Sequence, residues 1–322
     1  MKARLEGLDG ALDLEAIREA ISPHLNKTTF LSSERLDDAV GVHVTVASET
    51  FQHTGSFKLR AALAVALHAT ESHLVTASSG NFGAALARAA RLAGKKCTVV
   101  MPASSSKVKV AQVRSYDATI DLIDTTKTSR AARLAELAAS ISDARSCSPY
   151  DDPWVIAGNA TLGHEIFTAL DPDVVVVPVG GGGLSSGLIV ARDAANAKAA
   201  IVGAEPAIAN DAARSLRAKK RIANETEPQT IADGARTLSL GLRNFAILER
   251  GMQSVVEVSE ATIREAVRVL FGAVHLKVEP TGALAVAAVM TNPAEFSGKR
   301  VVCVVSGANV EPALYASILT TS

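Results

Sequence analysis

Aromatic side chains are scarce in this chain, at 4% of 322 residues. Surfaces that hold single-stranded nucleic acid stack bases on such rings, so that class of function has little to build on. Charge of one sign is missing too. Lys+Arg and Asp+Glu number 33 each, for a net charge of +0, which leaves no polybasic field for nucleic acid or an anionic membrane surface. The expectation is therefore no nucleic acid and no membrane. Cysteine is rare and odd in number: Cys97, Cys147 and Cys303 share no metal-ligand spacing and make no disulfide framework. Cys97 and Cys303 lie in strand-like apolar runs, so buried, inert thiols are expected, which fits a reducing cytoplasm. No apolar run reaches the ~18 residues that span a bilayer. The first residues lack the apolar stretch of a signal peptide. What remains is 48% hydrophobic and 20% charged, enough for one large or two ordinary domains.

Periodicity predicts strands alternating with helices. A helix over 14–22 sets Leu14, Ile17 and Ile21 on one face and stops at Pro23. Strands are expected at 42–47, 74–77, 97–101 and 120–123. Helices are expected from near Lys58, from Asn81 to Arg91, and over 106–116 and 128–140. This is an α/β pattern of the open parallel-sheet type. The polar, proline-bounded residues 149–153 read as a domain crossing. Beyond them a helix over 161–170 precedes strands at 174–179, 200–204, 255–258 and 300–305. Helices are expected from Leu184 and over 260–271 and 282–290. Residues 212–253 yield no boundaries, and there is no internal repeat.

Four turns at strand C-termini carry Gly, Ser or Asn: 78–81, 180–183, 203–205 and 306–309. In open α/β sheets ligands bind at that edge, although ordinary strand-to-helix turns favour the same residues. Gly180, Gly181, Gly182 and Gly183 stand out. Without side chains, successive amides can converge on one anion, and the following helix from Leu184 adds its positive end. The reading is a monophosphate cup, with a plain tight turn as the alternative. No lysine follows the glycines, and their spacing does not match a dinucleotide fold. Lys58 stands between Phe57 and an alanine-rich helical run. Such a lysine either snorkels to water or has its amine desolvated for chemistry. Ser56 is the expected N-cap of that helix.

Six segments occur in order: Ser56-Phe57-Lys58-Leu59-Arg60, Ser78-Ser79-Gly80-Asn81, the four glycines, Thr230-Ile231-Ala232-Asp233-Gly234, Glu279-Pro280-Thr281-Gly282-Ala283 and Ser306-Gly307-Ala308-Asn309. As a set they resemble the pyridoxal-phosphate enzymes of fold type II, in the threonine/serine dehydratase and serine racemase branch. The resemblance runs from about Pro23 to Val310. It implies two open twisted α/β domains of the tryptophan synthase β type with pyridoxal 5'-phosphate in the cleft. Residues 1–72 plus 150–322 would form the large domain, and 73–149 a small inserted one. It also implies a small-molecule amino-acid substrate and, by default, a homodimer.

The resemblance implies the following roles. Lys58 forms the Schiff base, next to Phe57. Gly180 to Gly183 and Leu184 hold the phosphate. Asn81 meets the ring hydroxyl, Ser306 the pyridine nitrogen, and Glu279 belongs to the cofactor site. Ser78, Ser79, Gly80, Asn81 and Phe82 face the substrate. Ser79 is the acid/base opposite the lysine in the racemases, or here simply an N-cap. Glu205, the Ala209 carbonyl and Asp211 match a Mg²⁺ or Ca²⁺ site, with an acid followed by a helix cap as the alternative. The implied reaction is α,β-elimination from a β-hydroxy amino acid to a 2-oxo acid and ammonia. The alternatives are 3-hydroxyaspartate dehydratase, serine or aspartate racemase, and a non-catalytic phosphate-binding protein. Three departures stand out: Ala61 and Ala308 where glycine is usual, and Phe82 where many members carry histidine. Arg236 and Arg243 have the reach for a second substrate carboxylate, or are surface arginines. The chain ends soon after the last motif, so no regulatory domain and no isoleucine feedback are expected.

Overall fold

The computed structural model describes residues 2–3, 12–78, 80–105 and 107–320. Ser79, expected in the site, and Ser106, the expected start of a helix, lie outside the described residues. The strands form two main sheets. The larger has six strands in the order Ser254–Val258, Ala200–Pro206, Val174–Pro178, Val301–Val305, Val44–Ser48 and Thr29–Leu31. All pairs are parallel except the last, where Thr29–Leu31 closes one edge antiparallel. The smaller has four parallel strands in the order Thr119–Ile123, Lys96–Pro102, His73–Ala77 and Ala144–Ser146.

The central strands of the large sheet are rich in valine. Val174–Pro178 and Val301–Val305 are buried at every residue, as expected where helices cover both faces. One of those helices, Pro280–Thr291, is apolar nearly all round and buried from Pro280 to Val289. No described helix is long and apolar enough to cross a membrane.

Small residues decide how the lysine helix is held. Lys58–His68 is buried from Leu59 to Ala66 and shares an apolar cluster with Leu74, Phe82 and Val99 of the smaller sheet's layer. Helix Pro153–Ala169 crosses it at Gly158, where a Cβ would stand 2.5 Å from the Arg60 carbonyl and 2.9 Å from the Ala61 Cα. Gly163 does the same toward Ala191 of helix Gly183–Ala194, at 2.5 Å. Backbones approach this closely only where a side chain is absent.

Several sequence expectations need correction. The helix expected from Thr161 starts at Pro153, capped by Asp152, whose side chain accepts from the Trp154 amide. Proline suits the first helical turn, because its missing N–H would be unpaired there anyway. Ser56 does not cap the lysine helix. Its backbone is drawn into a bridge with Gly307, Phe57 takes the cap position, and no side-chain cap forms. In 212–253 the structure holds two helices, Asp211–Ala218 and Leu242–Gly251. As expected for Cys97 and Cys303, the cysteines, Cys147 included, are buried and free, and burial pushes each thiol up to about 12.

Candidate active site

Lys58 is the first residue of its helix and half-buried. Its Nζ donates to the Pro149 carbonyl at 2.7 Å. The Phe57 and Phe82 ring centroids lie 4.9 Å and 5.8 Å from Nζ. Phe82 is 1% exposed, so it walls the amine rather than lining an open cavity. Desolvation in this setting lowers the amine from 10.5 to about 8, with the Glu279 charge opposing the shift.

Glu279 ends the segment entering helix Pro280–Thr291 and is itself buried. Burial raises its carboxyl, the neighbouring Asp233 charge adds to that, and the Asn81 hydrogen bond works against it. Lys58 and Glu279 are thus each moved toward the uncharged form. Asn81 opens helix Asn81–Leu92. Its Nδ2 donates to Glu279 Oε1 at 2.8 Å, and its Oδ1 accepts from Asn309 Nδ2 at 2.7 Å. Asn309 also donates to the Thr54 carbonyl at 2.8 Å. Three of the expected segments therefore meet in one chain of amides and a carboxyl.

Each of the four glycines has its own steric reason. A Cβ at Gly180 would stand 2.7 Å from the Gly234 carbonyl, and one at Gly181 2.3 Å from the Tyr150 ring. Gly182 has φ +91°, a left-handed backbone that side chains disfavour. A Cβ at Gly183 would meet the Tyr150 carbonyl at 2.7 Å. The loop is clamped from outside: Asn244 Nδ2 donates to the Gly181 carbonyl at 2.8 Å and to that of Tyr150 at 3.0 Å. Carbonyls are used, but among the described residues the amides of Gly181 to Leu184 make no hydrogen bond. Unclaimed amides at a helix N-terminus are what a phosphate needs.

Ser306 follows strand Val301–Val305, and its carbonyl accepts the Phe57 amide at 3.0 Å. The nearby Thr54 and Ser56 hydroxyls are buried and without partners. Orphaned buried hydroxyls are uncommon in a finished interior and fit a site awaiting a polar group. These donors and the half-buried lysine suit pyridoxal phosphate. Gly80 caps helix Asn81–Leu92, and its amide donates to Ser78 Oγ at 3.3 Å. Arg236 is engaged elsewhere: its Nε donates to the Thr230 carbonyl at 2.8 Å. Sequence reasoning missed Pro149 and Tyr150 as site residues. Their proline-bounded position marked a crossing, and nothing in it announced that the lysine would be received there.

Glu205, Ala209 and Asp211 are also brought together. Glu205 is 1% exposed and accepts from the Ala212 amide at 3.2 Å and the Ala213 amide at 2.7 Å. Ala209 closes a short 3-10 turn just ahead of Asp211. Asp211 Oδ1 accepts from Asn224 Nδ2 at 3.0 Å, whereas its Oδ2 is buried without a partner. Burial raises Glu205 to about 8 and Asp211 to about 6. Among the described residues no three acidic, histidine or cysteine side chains cluster as metal ligands.

Comparison with known proteins identifies the family. A family model described as "Pyridoxal-phosphate dependent enzyme" matches residues 21–307. The chain is 34% identical over 312 residues to the L-threo-3-hydroxyaspartate ammonia-lyase of a Pseudomonas species, covering 95% of this chain and 97% of that one. It is 32% identical to the serine racemase of Schizosaccharomyces pombe, with 96% of each chain covered. Among solved structures, a T.th. threonine deaminase superposes with a TM-score of 0.86 at 38% identity, covering 92% and 97% of the two chains. Maize serine racemase superposes with a TM-score of 0.89 at 29% identity, covering 99% and 97%. The two sheets, the lysine at the start of its buried helix and these matches together carry one conclusion: the chain belongs to the pyridoxal-phosphate dependent enzymes of fold type II, in the threonine/serine dehydratase and serine racemase branch.

Proposed function

We propose that this enzyme is an ammonia-lyase that removes water from a small β-hydroxy amino acid, releasing an enamine that takes up water again to give a 2-oxo acid and ammonia. The observation that carries the reading is the Lys58 amine held at the Pro149 carbonyl at 2.7 Å between the Phe57 and Phe82 rings, in a site with unclaimed glycine amides; burial there favours its neutral form. Lys58 takes the Cα proton, and the β-hydroxyl leaves as water after receiving a proton. The cofactor, when bound, supplies the electron sink that makes Cα acidic. Ser306 would offer a hydroxyl to the ring nitrogen of the bound cofactor and would enforce no positive charge there, which suits elimination over transamination. The amides at the start of helix Asn81–Leu92 receive the substrate carboxylate. Three relatives at 33–34% identity named for 3-hydroxyaspartate chemistry make L-threo-3-hydroxyaspartate the first substrate to test, ahead of threonine and serine. Arg236 would have to release Thr230 to meet its second carboxylate.

Racemisation is the second reading, favoured by the serine racemases at 31–33% identity. It needs an acid/base on the face opposite Lys58, a role that falls to Ser79. Ser79→Ala separates the two. The lyase reading expects 2-oxo acid formation from the L-substrate within about tenfold of wild type, with any isomerisation falling about 10²-fold or more. Loss of both activities would remove Ser79 from this role and leave it a structural residue.

A Mg²⁺ or Ca²⁺ ion belongs at Glu205, the Ala209 carbonyl and Asp211. The Asp211 Oδ2 atom, buried and unpartnered, supports this, since an unpaired buried carboxylate is costly. Adding Ca²⁺ or Mg²⁺ to chelator-treated enzyme at about 100 times its Kd is expected to stabilise the fold by about 2.7 kcal/mol. Asp211→Asn should abolish that gain while leaving the fold intact. A thermal midpoint indifferent to both cations would count against the site.

A further inference from the structure

A buried polar cluster lies behind Lys58. Arg60 is 0% exposed, yet its guanidinium is matched on every side. Nε donates to Glu49 Oε2 at 2.7 Å and Nη2 to Glu49 Oε1 at 2.9 Å, a fork on one carboxylate. Nη1 donates to Glu165 Oε1 at 2.8 Å and to Thr161 Oγ1 at 3.1 Å. Nη2 also donates to Thr28 Oγ1 at 3.0 Å. Thr28 then locks the two glutamates together: its hydroxyl donates to Glu49 Oε1 at 2.9 Å and its amide to Glu165 Oε2 at 2.7 Å.

Every partner leads back to the site. The Glu49 amide donates to the Val305 carbonyl at 2.9 Å, one residue before Ser306. Glu165 and Thr161 belong to helix Pro153–Ala169, which begins just beyond Pro149, the acceptor of the Lys58 amine. Two residues apart on a helix point about 200° apart, so Arg60 grips the back of the helix whose front presents Lys58. No side-chain cap fixes the start of that helix; the Phe57 amide bond to the Ser306 carbonyl at 3.0 Å ties its backbone there. A buried ion pair adds little net stability, because desolvation offsets the attraction. A two-point fork does fix orientation.

We propose that Arg60, held by Glu49 and Glu165, is a positioning residue that sets the place of the Lys58 amine relative to Ser306 and Pro149. The proposal rests on Lys58 being the cofactor lysine. Arg60→Lys keeps the charge and loses the fork. Glu165→Gln loosens the second grip at a partner whose side chain is 28% exposed, where folding tolerates change.

The readouts are the rate at which cofactor-free protein takes up pyridoxal phosphate, the visible circular-dichroism band of the bound cofactor, and kcat against KM. Arg60→Lys is expected to slow uptake and lower kcat by about tenfold or more, with KM within about threefold of wild type and a weaker dichroic band. Glu165→Gln should move the same readouts in the same direction by a smaller factor. Folded variants with wild-type uptake and a wild-type band would overturn the proposal, whatever their melting temperatures. If Arg60→Lys does not fold, Glu165→Gln decides alone. Borohydride labelling of wild-type holoenzyme keeps the two ideas separate. No label at Lys58 sinks the functional reading, whereas a label there with unaffected variants sinks only the positioning role.

Discussion

Lys58→Ala is expected to lower kcat by about 10³-fold or more for every β-hydroxy amino acid the enzyme accepts. The size follows from what the residue does. Burial lowers its amine from 10.5 to about 8, so a far larger share is neutral at pH 7 than for an ordinary lysine. Burial against Phe57 and Phe82 produces that shift. On the proposed reading alanine removes both the nucleophile and the base, and it should disturb little packing, because Lys58 opens its helix and the helix behind it is held through Arg60. The melting temperature of the cofactor-free variant should stay close to wild type. Turnover within about tenfold of wild type would mean that another group takes the Cα proton.

The second large effect is expected from Gly181→Ala. Its Cβ would stand 2.3 Å from the Tyr150 ring, a contact that forces the loop or the ring to move. Overpacking of this kind costs about 1–3 kcal/mol. If the loop's unclaimed amides hold the phosphate, a shift of the loop should lower cofactor affinity by about 10²-fold, beyond what the stability loss alone requires. Gly272→Ala is the control. Nothing beyond its own stretch of helix Glu260–Val274 lies within 4 Å of its Cβ position, and alanine there should be neutral or stabilising by about 0.5–1 kcal/mol. Equilibrium titration of the cofactor-free proteins with pyridoxal phosphate, followed by fluorescence, checks both. An unchanged dissociation constant for Gly181→Ala would detach the glycine loop from phosphate binding.

The strands were legible in the sequence because their causes are local. Runs such as Val174 to Val177 and Val301 to Val305 can only be buried, and the turns after them carry the residues that ligand-binding edges use. Two other features had no local signal. The Thr29–Leu31 strand is short and owes its form to its neighbour Val44–Ser48. Helix Pro153–Ala169 contains Gly158 and Gly163, which weaken a helix read from propensity alone and make sense only against Arg60, Ala61 and Ala191.

The candidate site divides the same way. The glycine run stands out by composition, but the reason for each glycine lies in Tyr150, Gly234 and the left-handed turn at Gly182. Arg60 stood in plain view two residues from Lys58. Its partners Glu49 and Glu165 are 11 and 105 residues away, and only the folded chain brings them together.

Borohydride reduction of the holoenzyme followed by peptide mapping tests the whole assignment most directly. The expected result is one pyridoxyl label per chain, on the peptide that carries Lys58, and none after Lys58→Ala. A label on any other lysine, or no label on enzyme that still turns over its substrate, would contradict the placement of the cofactor in this cleft.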